Sequence, residues 1–204
     1  MLSKRLQEIC NLVDSTYVVD IGCDHALIDI YLTINNHICT AIDNKETVLE
    51  KTIQNIKKYN LEDKINVVCS DGLNNYGIKG NESVILAGMG TSNILNILNN
   101  NQINKINTLI VQSNNDLDIL RRKICKMGFY IDKEIAVYDK KYYCIIRFKR
   151  GKKIYSYLNY YYGLSNNKSY YKYLYNKTYE TYKKVPYRNI AKKIKYKLLL
   201  INIR

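Results

Sequence analysis

Tyr17-Val18-Val19-Asp20-Ile21-Gly22-Cys23-Asp24-His25-Ala26 is a short, largely β-branched run that ends in an acid, followed by a tight glycine turn and a helix-like segment. An α/β domain opens a nucleotide-type pocket in this way, at the carboxyl end of its first strand. The turn decides which ligand fits. A dinucleotide fingerprint needs G-x-G-x-x-G so that backbone amides can approach a pyrophosphate. Here only Gly22 is present, and Cys23, Asp24 and His25 follow it. An acid in the turn repels phosphate, and the G-K-[ST] of a P-loop is absent. A nicotinamide dehydrogenase is therefore disfavoured.

The flanking sequence repeats the strand-then-helix pattern. Leu2–Leu12 reads as an amphipathic helix, Ala26–Ile34 and Lys45–Tyr59 as two more, and Thr91–Leu98 and Asn115–Met127 as the next two. Thr91 or Ser92 is the expected N-cap of the fourth, and Gly128 the C-terminal stop of the fifth. Between them lie strand patterns at Tyr17–Ile21, His37–Ile42, Ile65–Cys69, Ser83–Ala87 and Asn107–Gln112. Phe129–Tyr138 and Tyr142–Lys149 flank the polar turn Asp139-Lys140-Lys141, a hairpin signal. The expected fold is α/β and Rossmann-like: a mostly parallel sheet with helices on both faces and an antiparallel hairpin at the end. Beyond Arg150-Gly151-Lys152-Lys153 the strand patterns stop. Ile154–Tyr162, Asn167–Lys184 and Tyr187–Ile203 read as helices, with Pro186 separating the last two. Two domains are expected, at residues 1–151 and 152–204.

The strand ends carry the chemistry. A cofactor without phosphate suits the Gly22 turn. S-adenosylmethionine, with a cationic ammonium and sulfonium and a ribose diol, is the one expected. Asp43 closes strand two 23 residues after Asp20, near the spacing at which an acid takes ribose hydroxyls, although a helix-capping role is also open. Asp71, beside Gly72 after strand three, can accept from an adenine amino group. Strand four ends in Ala87-Gly88-Met89-Gly90, small residues that leave room for a ligand. Strand five ends in Gln112-Ser113-Asn114, whose amides aim at the same crevice.

Charge divides the chain. The net charge is +14, of which residues 151–204 carry +12, from 13 Lys/Arg and the lone acid Glu180. An A+T-rich genome raises Lys, Asn, Ile and Tyr everywhere, but it does not empty one segment of acids. The asymmetry points to a polyanion, most often nucleic acid. Thirteen of the 21 tyrosines also lie beyond residue 150, and at helical spacing they read first as packing groups. Six scattered cysteines without a CxxC pair indicate neither a metal site nor a disulfide framework. No apolar run reaches the length of a membrane span, and the first residues lack the apolar region of a signal peptide. A soluble cytoplasmic protein is the expectation.

These residues resemble a known family, the bacterial tRNA methyltransferases that modify N1 of adenine 22. The likeness runs through Leu2-Ser3-Lys4-Arg5-Leu6, Asp20-Ile21-Gly22-Cys23-Asp24-His25-Ala26, Asp71-Gly72, Ala87-Gly88-Met89-Gly90, Gln112-Ser113-Asn114 and the Tyr142-Tyr143-Cys144 strand, covering about residues 1–150. The chain departs from the family pattern at Thr91 and Ser113, where glycine and proline are usual. The resemblance implies a class I methyltransferase fold with a C-terminal helical, coiled-coil-like domain, S-adenosylmethionine as donor and tRNA as substrate. Asp20, Gly22, Cys23, His25, Asp43, Asn44, Asp71, Gly72, Ala87, Gly88, Met89 and Gly90 are the candidate cofactor-binding residues, and Asp24 and Asn114 the candidates that meet the base. His25 is equally read as a structural hydrogen-bonding group within its turn, and His37 as a surface residue. Lys172, Lys177, Lys183, Lys184, Lys192, Lys193 and Lys195 are the expected tRNA contacts, and Lys4 and Arg5 read equally as phosphate contacts from the first helix or as its solvated face. Two rivals stay open at this stage: a methyltransferase for another RNA base or a small molecule, and a non-catalytic RNA-binding module with a decayed pocket.

Overall fold

The structure is a computed structural model that describes residues 2–202. In chain order the elements are α1 (Lys4–Cys10), β1 (Tyr17–Ile21), α2 (Leu27–Ile34), β2 (Ile38–Asp43), α3 (Glu46–Lys58), β3 (Ile65–Cys69), β4 (Glu82–Met89), α4 (Thr91–Leu98), β5 (Thr108–Ser113), α5 (Leu117–Lys126), β6 (Phe129–Asp139), β7 (Lys141–Arg150), α6 (Tyr157–Tyr162), α7 (Lys168–Lys184) and α8 (Ile190–Ile201). A 3₁₀ turn at Asn101–Lys105, which the sequence pattern did not signal, precedes β5.

The strands form one seven-stranded sheet in the order β3-β2-β1-β4-β5-β7-β6. The first five run parallel, and β7 lies antiparallel to both β5 and β6. The central strands are apolar on both faces, as a sheet covered on both sides requires. Val84, Leu86, Leu109, Val111, Ile146 and Phe148 face one core. The intervening Ile85, Ile110 and Ile145 face the other. The chain winds outward from β1 to β3, then crosses back to start again at β4. Thus β1 and β4 are neighbours whose following helices leave in different directions, the switch point at which open α/β sheets place their ligand crevice.

Local chemistry moves several boundaries. α1 starts at Lys4 because the Ser3 side chain accepts from Leu6 N at 3.4 Å. α2 starts one residue late because Ala26 is left-handed, at φ 53°. Neither Thr91 nor Ser92 caps α4. The N-cap is Gly90, and the first amide of the helix, Thr91 N, donates to Asn115 Oδ1 at 2.9 Å. β4 runs past Ala87 through a bulge to Met89. The β6–β7 hairpin turns at Lys140, with φ 63°. α6 begins at Tyr157, not Ile154, behind a Ser156/Asn159 capping box. α8 begins at Ile190 behind Asn189. Its expected end at Ile203 lies outside the described residues.

The segment after β7 is fastened to the sheet by a buried ion pair. Arg121 on α5 is fully buried and donates to Glu134 on β6 through Nη2 (2.6 Å) and Nε (3.3 Å). Its Nη1 donates to the Tyr160 carbonyl at 2.8 Å. Glu134 accepts in turn from Leu164 N at 2.9 Å and Cys144 Sγ at 2.8 Å. The pair is tolerable inside the protein because its remaining donors and acceptors are met. Downstream, α7 and α8 pack together, with Val185 and Leu199 buried. Tyr162 and Tyr170 are buried as packing groups, but Tyr157, Tyr173, Tyr175, Tyr179 and Tyr187 are exposed.

Candidate active site

The carboxyl ends of β1 to β5 enclose a cleft of about 1150 Å³. Nearly every strand-end residue singled out in the sequence lines it: Asp20, Gly22, Cys23, Asp24, His25, Asp43, Asn44, Asp71, Gly72, Ala87, Gly88, Met89 and Asn114. Gly90 does not; as the N-cap of α4 it faces Asn115 instead. The same wall holds groups that the sequence left unassigned, among them Lys45, Asn93, Asn96, Ile97, Lys141 and Tyr143. The β7 pair Lys141 and Tyr143 reaches the cleft only because the hairpin folds back beside β5. That is a long-range fact with no local pattern.

The Gly22 turn is held by its neighbours. Gly22 N and Cys23 N both donate to the Ile42 carbonyl, at 2.8 and 3.1 Å. The Asp24 carbonyl accepts from the Thr52 hydroxyl, and the His25 carbonyl from Asn55 Nδ2 at 3.1 Å. Gly22 has φ +80°, and a Cβ there would lie 3.3 Å from Met89 Cε, so glycine is needed for conformation and for space. The first two amides of the turn are thus spent on the Ile42 carbonyl. A phosphate-free ligand is what this turn leaves room for, as the acid at Asp24 indicated.

The acids differ in environment. Asp20 is buried at the floor of the cleft, and burial pushes its carboxyl up to about 7. Beneath it on α2, Asp29 is completely buried, and neither of its oxygens has a hydrogen-bond partner. Burial and the nearby Asp20 charge raise Asp29 well above the carboxylate range. The two acids are best described as a pair that resists carrying two negative charges. Asp29 was not singled out in the sequence, although an acid among Ile28, Ile30 and Leu32, all buried, was the signal available. Asp43 is half-buried; its Oδ1 accepts from Lys45 N at 3.0 Å, which leaves Oδ2 for a ligand. Asp24 is exposed, with His25 Nε2 3.6 Å from its Oδ1. His37 is half-buried, its Nδ1 2.9 Å from the Ser15 carbonyl, outside the cleft.

On the opposite wall Asn114 N donates to the Met89 carbonyl at 2.9 Å, and Asn114 Nδ2 to the Gly88 carbonyl at 2.7 Å. This fixes the exposed amide at the end of β5 over the end of β4. Arg5 was expected to point outward, to phosphate or to solvent. Its guanidinium turns into the cleft instead, 2.6 Å from Gln112 Oε1. Lys4 stays exposed and outside the cleft wall.

Residues 2–146 match a family described as a methyltransferase domain. The chain belongs to the methyltransferase-domain family. A relative in Mycoplasma genitalium bearing the name "Putative tRNA methyltransferase MG248" is 31% identical over 158 residues, 74% of this chain and 72% of its own. TrmK of M. capricolum, solved with the cofactor product S-adenosyl-homocysteine, is 30% identical with a TM-score of 0.85, covering 100% of this chain and 96% of that one. The B. subtilis M1A22 tRNA methyltransferase TrmK, at 21% identity and TM-score 0.83 over 98% and 96% of the two chains, shares the fold. The fold read from the sequence, a Rossmann-like sheet with a terminal hairpin and C-terminal helices, is thereby established for this methyltransferase. Among the described residues no cluster of His, Cys, Asp and Glu could hold a metal ion, and no helix is long and apolar enough to cross a membrane.

The basic residues of the C-terminal helices are not equivalent. Lys172, Lys177, Lys184, Lys192 and Lys195 are exposed. Lys183 pairs with Glu180 at 2.6 Å. Lys193 donates to the Val185 carbonyl at 3.2 Å and lies 3.7 Å from the Tyr187 ring centroid. Lys193 is better described as a clasp between α7 and α8 than as a free cation.

Proposed function

We propose that this methyltransferase acts in the cytoplasm on tRNA, transferring a methyl group from S-adenosylmethionine to N1 of adenine 22. The observation that carries the reading is the cleft itself. The amides of Gly22 and Cys23 are spent on Ile42, four acids line the cleft for a cationic diol-bearing cofactor, and a fixed amide, Asn114, faces them. The 30% identity to an M. capricolum TrmK across the whole chain supports the same substrate.

Bound S-adenosylmethionine supplies an electrophilic methyl group. Asp20 and the Gly22 turn hold its cationic end, Asp43 the ribose, and Asp71 the adenine amino group. The target base needs no general base, because N1 of neutral adenine already carries a lone pair. The protein has to place that lone pair in line with the methyl group. It also has to receive an unpaired adenine, since N1 lies on the Watson–Crick edge. Asn114 receives the base edge. Asp24, exposed at the mouth, offsets the positive charge that forms on the ring. Residues 152–204 form the tRNA-binding part, in which Lys172, Lys177, Lys184, Lys192 and Lys195 track the phosphate backbone.

The test is methyl transfer by the purified chain to tRNA, mapped at nucleotide resolution. N1-methyladenine at position 22 is the expected product. Modification at another base, or failure to bind S-adenosylmethionine by calorimetry, would replace this reading with one of its rivals.

A further inference from the structure

Arg5, Gln112 and Asn114 form a hydrogen-bonded series across the cleft wall. Arg5 Nη1 donates to Gln112 Oε1 at 2.6 Å. Gln112 is fully buried, and its Nε2 donates to Asn114 Oδ1 at 3.2 Å. Asn114 Nδ2 donates to the Gly88 carbonyl at 2.7 Å. Arg5 is itself anchored, its backbone amide donating to Asp139 Oδ2 at 3.2 Å and its guanidinium lying 5.2 Å from the Tyr143 ring centroid.

An amide side chain has nearly the same shape either way round, so only hydrogen-bond sense orients it. A guanidinium can only donate. Arg5 therefore obliges Gln112 to offer Oε1, which turns Nε2 toward Asn114. Asn114 must then offer Oδ1 to Gln112. The Gly88 carbonyl can only accept, and imposes the same sense from the far end. Reversing either amide sets donor against donor or acceptor against acceptor, at a fully buried glutamine where the mismatch costs most.

We infer that Arg5 and Gln112 are positioning residues that hold the Asn114 carbonyl oxygen as the acceptor for the amino group of the target adenine. The inference rests on the adenine-N1 reading. Asn114 Oδ1 has a second lone pair beyond the one given to Gln112. Adenine carries its amino group beside N1. An acceptor there takes that group and leaves the N1 lone pair free to attack. As N1 is alkylated the amino group becomes a stronger donor, so this hydrogen bond strengthens toward the transition state. A reversed Asn114 would oppose its own NH2 to the base's.

The experiment is a double-mutant cycle on the full chain: Arg5→Ala, Gln112→Ala and the pair, with tRNA transcripts as substrate and cofactor affinity measured by calorimetry. Each single change is expected to lower kcat by about ten- to a hundredfold, with KM for tRNA and affinity for S-adenosylmethionine little changed. The double variant should be no slower than the slower single. Arg5→Lys, still a donor only, should recover part of kcat. Gln112→Glu, which keeps the acceptor for Arg5 but loses the donor for Asn114, should be as slow as Gln112→Ala; these two conservative variants carry the test where an alanine variant fails to fold. Losses that multiply, an active Gln112→Glu, or an Arg5→Ala effect confined to KM with a salt slope reduced by about one, would make Arg5 a phosphate-binding group and overturn the inference. Mapping the parent protein's product separates the two levels. If the parent makes no N1-methyladenine, the reading and the inference fall together. Multiplying losses in an N1-methylating parent remove the inference alone.

Discussion

The hydroxyls of Thr91 and Ser113 lie 2.9 Å apart, joining the start of α4 to the end of β5. These are the two positions at which the chain departs from the glycine and proline of the family it resembles, and the departures meet in space. Both side chains are buried, and Thr91 Oγ1 also donates to the Asn115 carbonyl at 2.6 Å. A glycine–proline pair has no hydroxyls to make this bridge. Here a hydrogen bond does the local fixing that the proline ring would otherwise supply, one residue before Asn114. Thr91→Ala and Ser113→Ala should each destabilise the protein by about 0.5–1.5 kcal/mol in denaturant unfolding, the net worth of a hydrogen bond, since the hydroxyl left behind keeps its bond to the Asn115 carbonyl. The double variant should lose less than the sum, by about 0.5–1.5 kcal/mol. Strict additivity would show the two departures to be independent.

The Asp20–Asp29 pair predicts a pH dependence of opposite sign for folding and for cofactor binding. The folded-state carboxyl of Asp20 sits at about 7, above the unfolded value of 3.8, so the folded protein keeps a proton that the unfolded chain releases. Its contribution to stability is complete below the unfolded value and is lost as pH rises toward 7. The melting temperature of the cofactor-free protein should fall from pH 5 to pH 8. Asp29→Asn should flatten that fall, by removing the neighbour that most resists ionisation. Affinity for S-adenosylmethionine should instead rise over the same range, because the ionised Asp20 attracts a cation. S-adenosylhomocysteine, which lacks the sulfonium charge, should show a shallower rise. Equal pH slopes for the two ligands would place the Asp20 charge on the ammonium, which both carry, and not on the sulfonium; no rise for either ligand would remove Asp20 from the cationic end.

Asp43 and the C-terminal lysines should separate cofactor from tRNA. Asp43→Ala should weaken binding of S-adenosylmethionine by about tenfold or more, the scale of removing a charge-assisted hydrogen bond, and leave tRNA retention intact. Replacing Lys172, Lys177 and Lys184 with glutamate should weaken tRNA binding and reduce its salt dependence, by about one in the logarithmic slope for each phosphate no longer neutralised. Lys193→Met should lower stability with little effect on that slope, because Lys193 joins α8 to the Val185 carbonyl. A slope unchanged by the three replacements would mean that the tail's charge does not meet the backbone.

The first strand and its turn were readable because what they need is local: a β-branched run, an acid and one glycine in sequence. The strand ends could be ordered around one cleft because a parallel sheet brings its carboxyl ends to one edge. What escaped depends on distant pairing. Arg5 looked like a surface cation of α1 until β5 placed Gln112 beside it, 107 residues away. Lys141 and Tyr143 enter only because β7 folds back beside β5. Arg121 and Glu134 carry no local signal that sets them apart from other charges of a helix and a strand. Their burial follows from a segment that arrives later, residues 160–164, which covers them.

That buried pair gives the last prediction. Gly163 has φ +82° and ψ −169°, a region essentially restricted to glycine. A Cβ at this position would press on Glu134 Oε1 and lie 2.6 Å from Arg121 Nη2. Gly163→Ala thus adds backbone strain and forces the ion pair apart. Single replacements Arg121→Met and Glu134→Leu each leave one uncompensated buried charge, with an expected loss of about 3–5 kcal/mol. The double replacement Arg121→Met with Glu134→Leu removes both charges and should recover much of that loss. Chemical denaturation of the four variants measures this directly. Limited proteolysis should find residues 156–164 cut faster in Gly163→Ala and in both single variants, because the Tyr160 carbonyl and Leu164 amide are anchored by this pair, between the ties of Tyr155 to Ile131 and of Ser165 and Asn167 to Ala136. Affinity for S-adenosylmethionine should survive, since the cleft lies at the ends of β1 to β5, while tRNA binding should fall as the helices it depends on come loose. Losses that add in the double replacement would show that Arg121 and Glu134 contribute independently through packing, not as a charge pair.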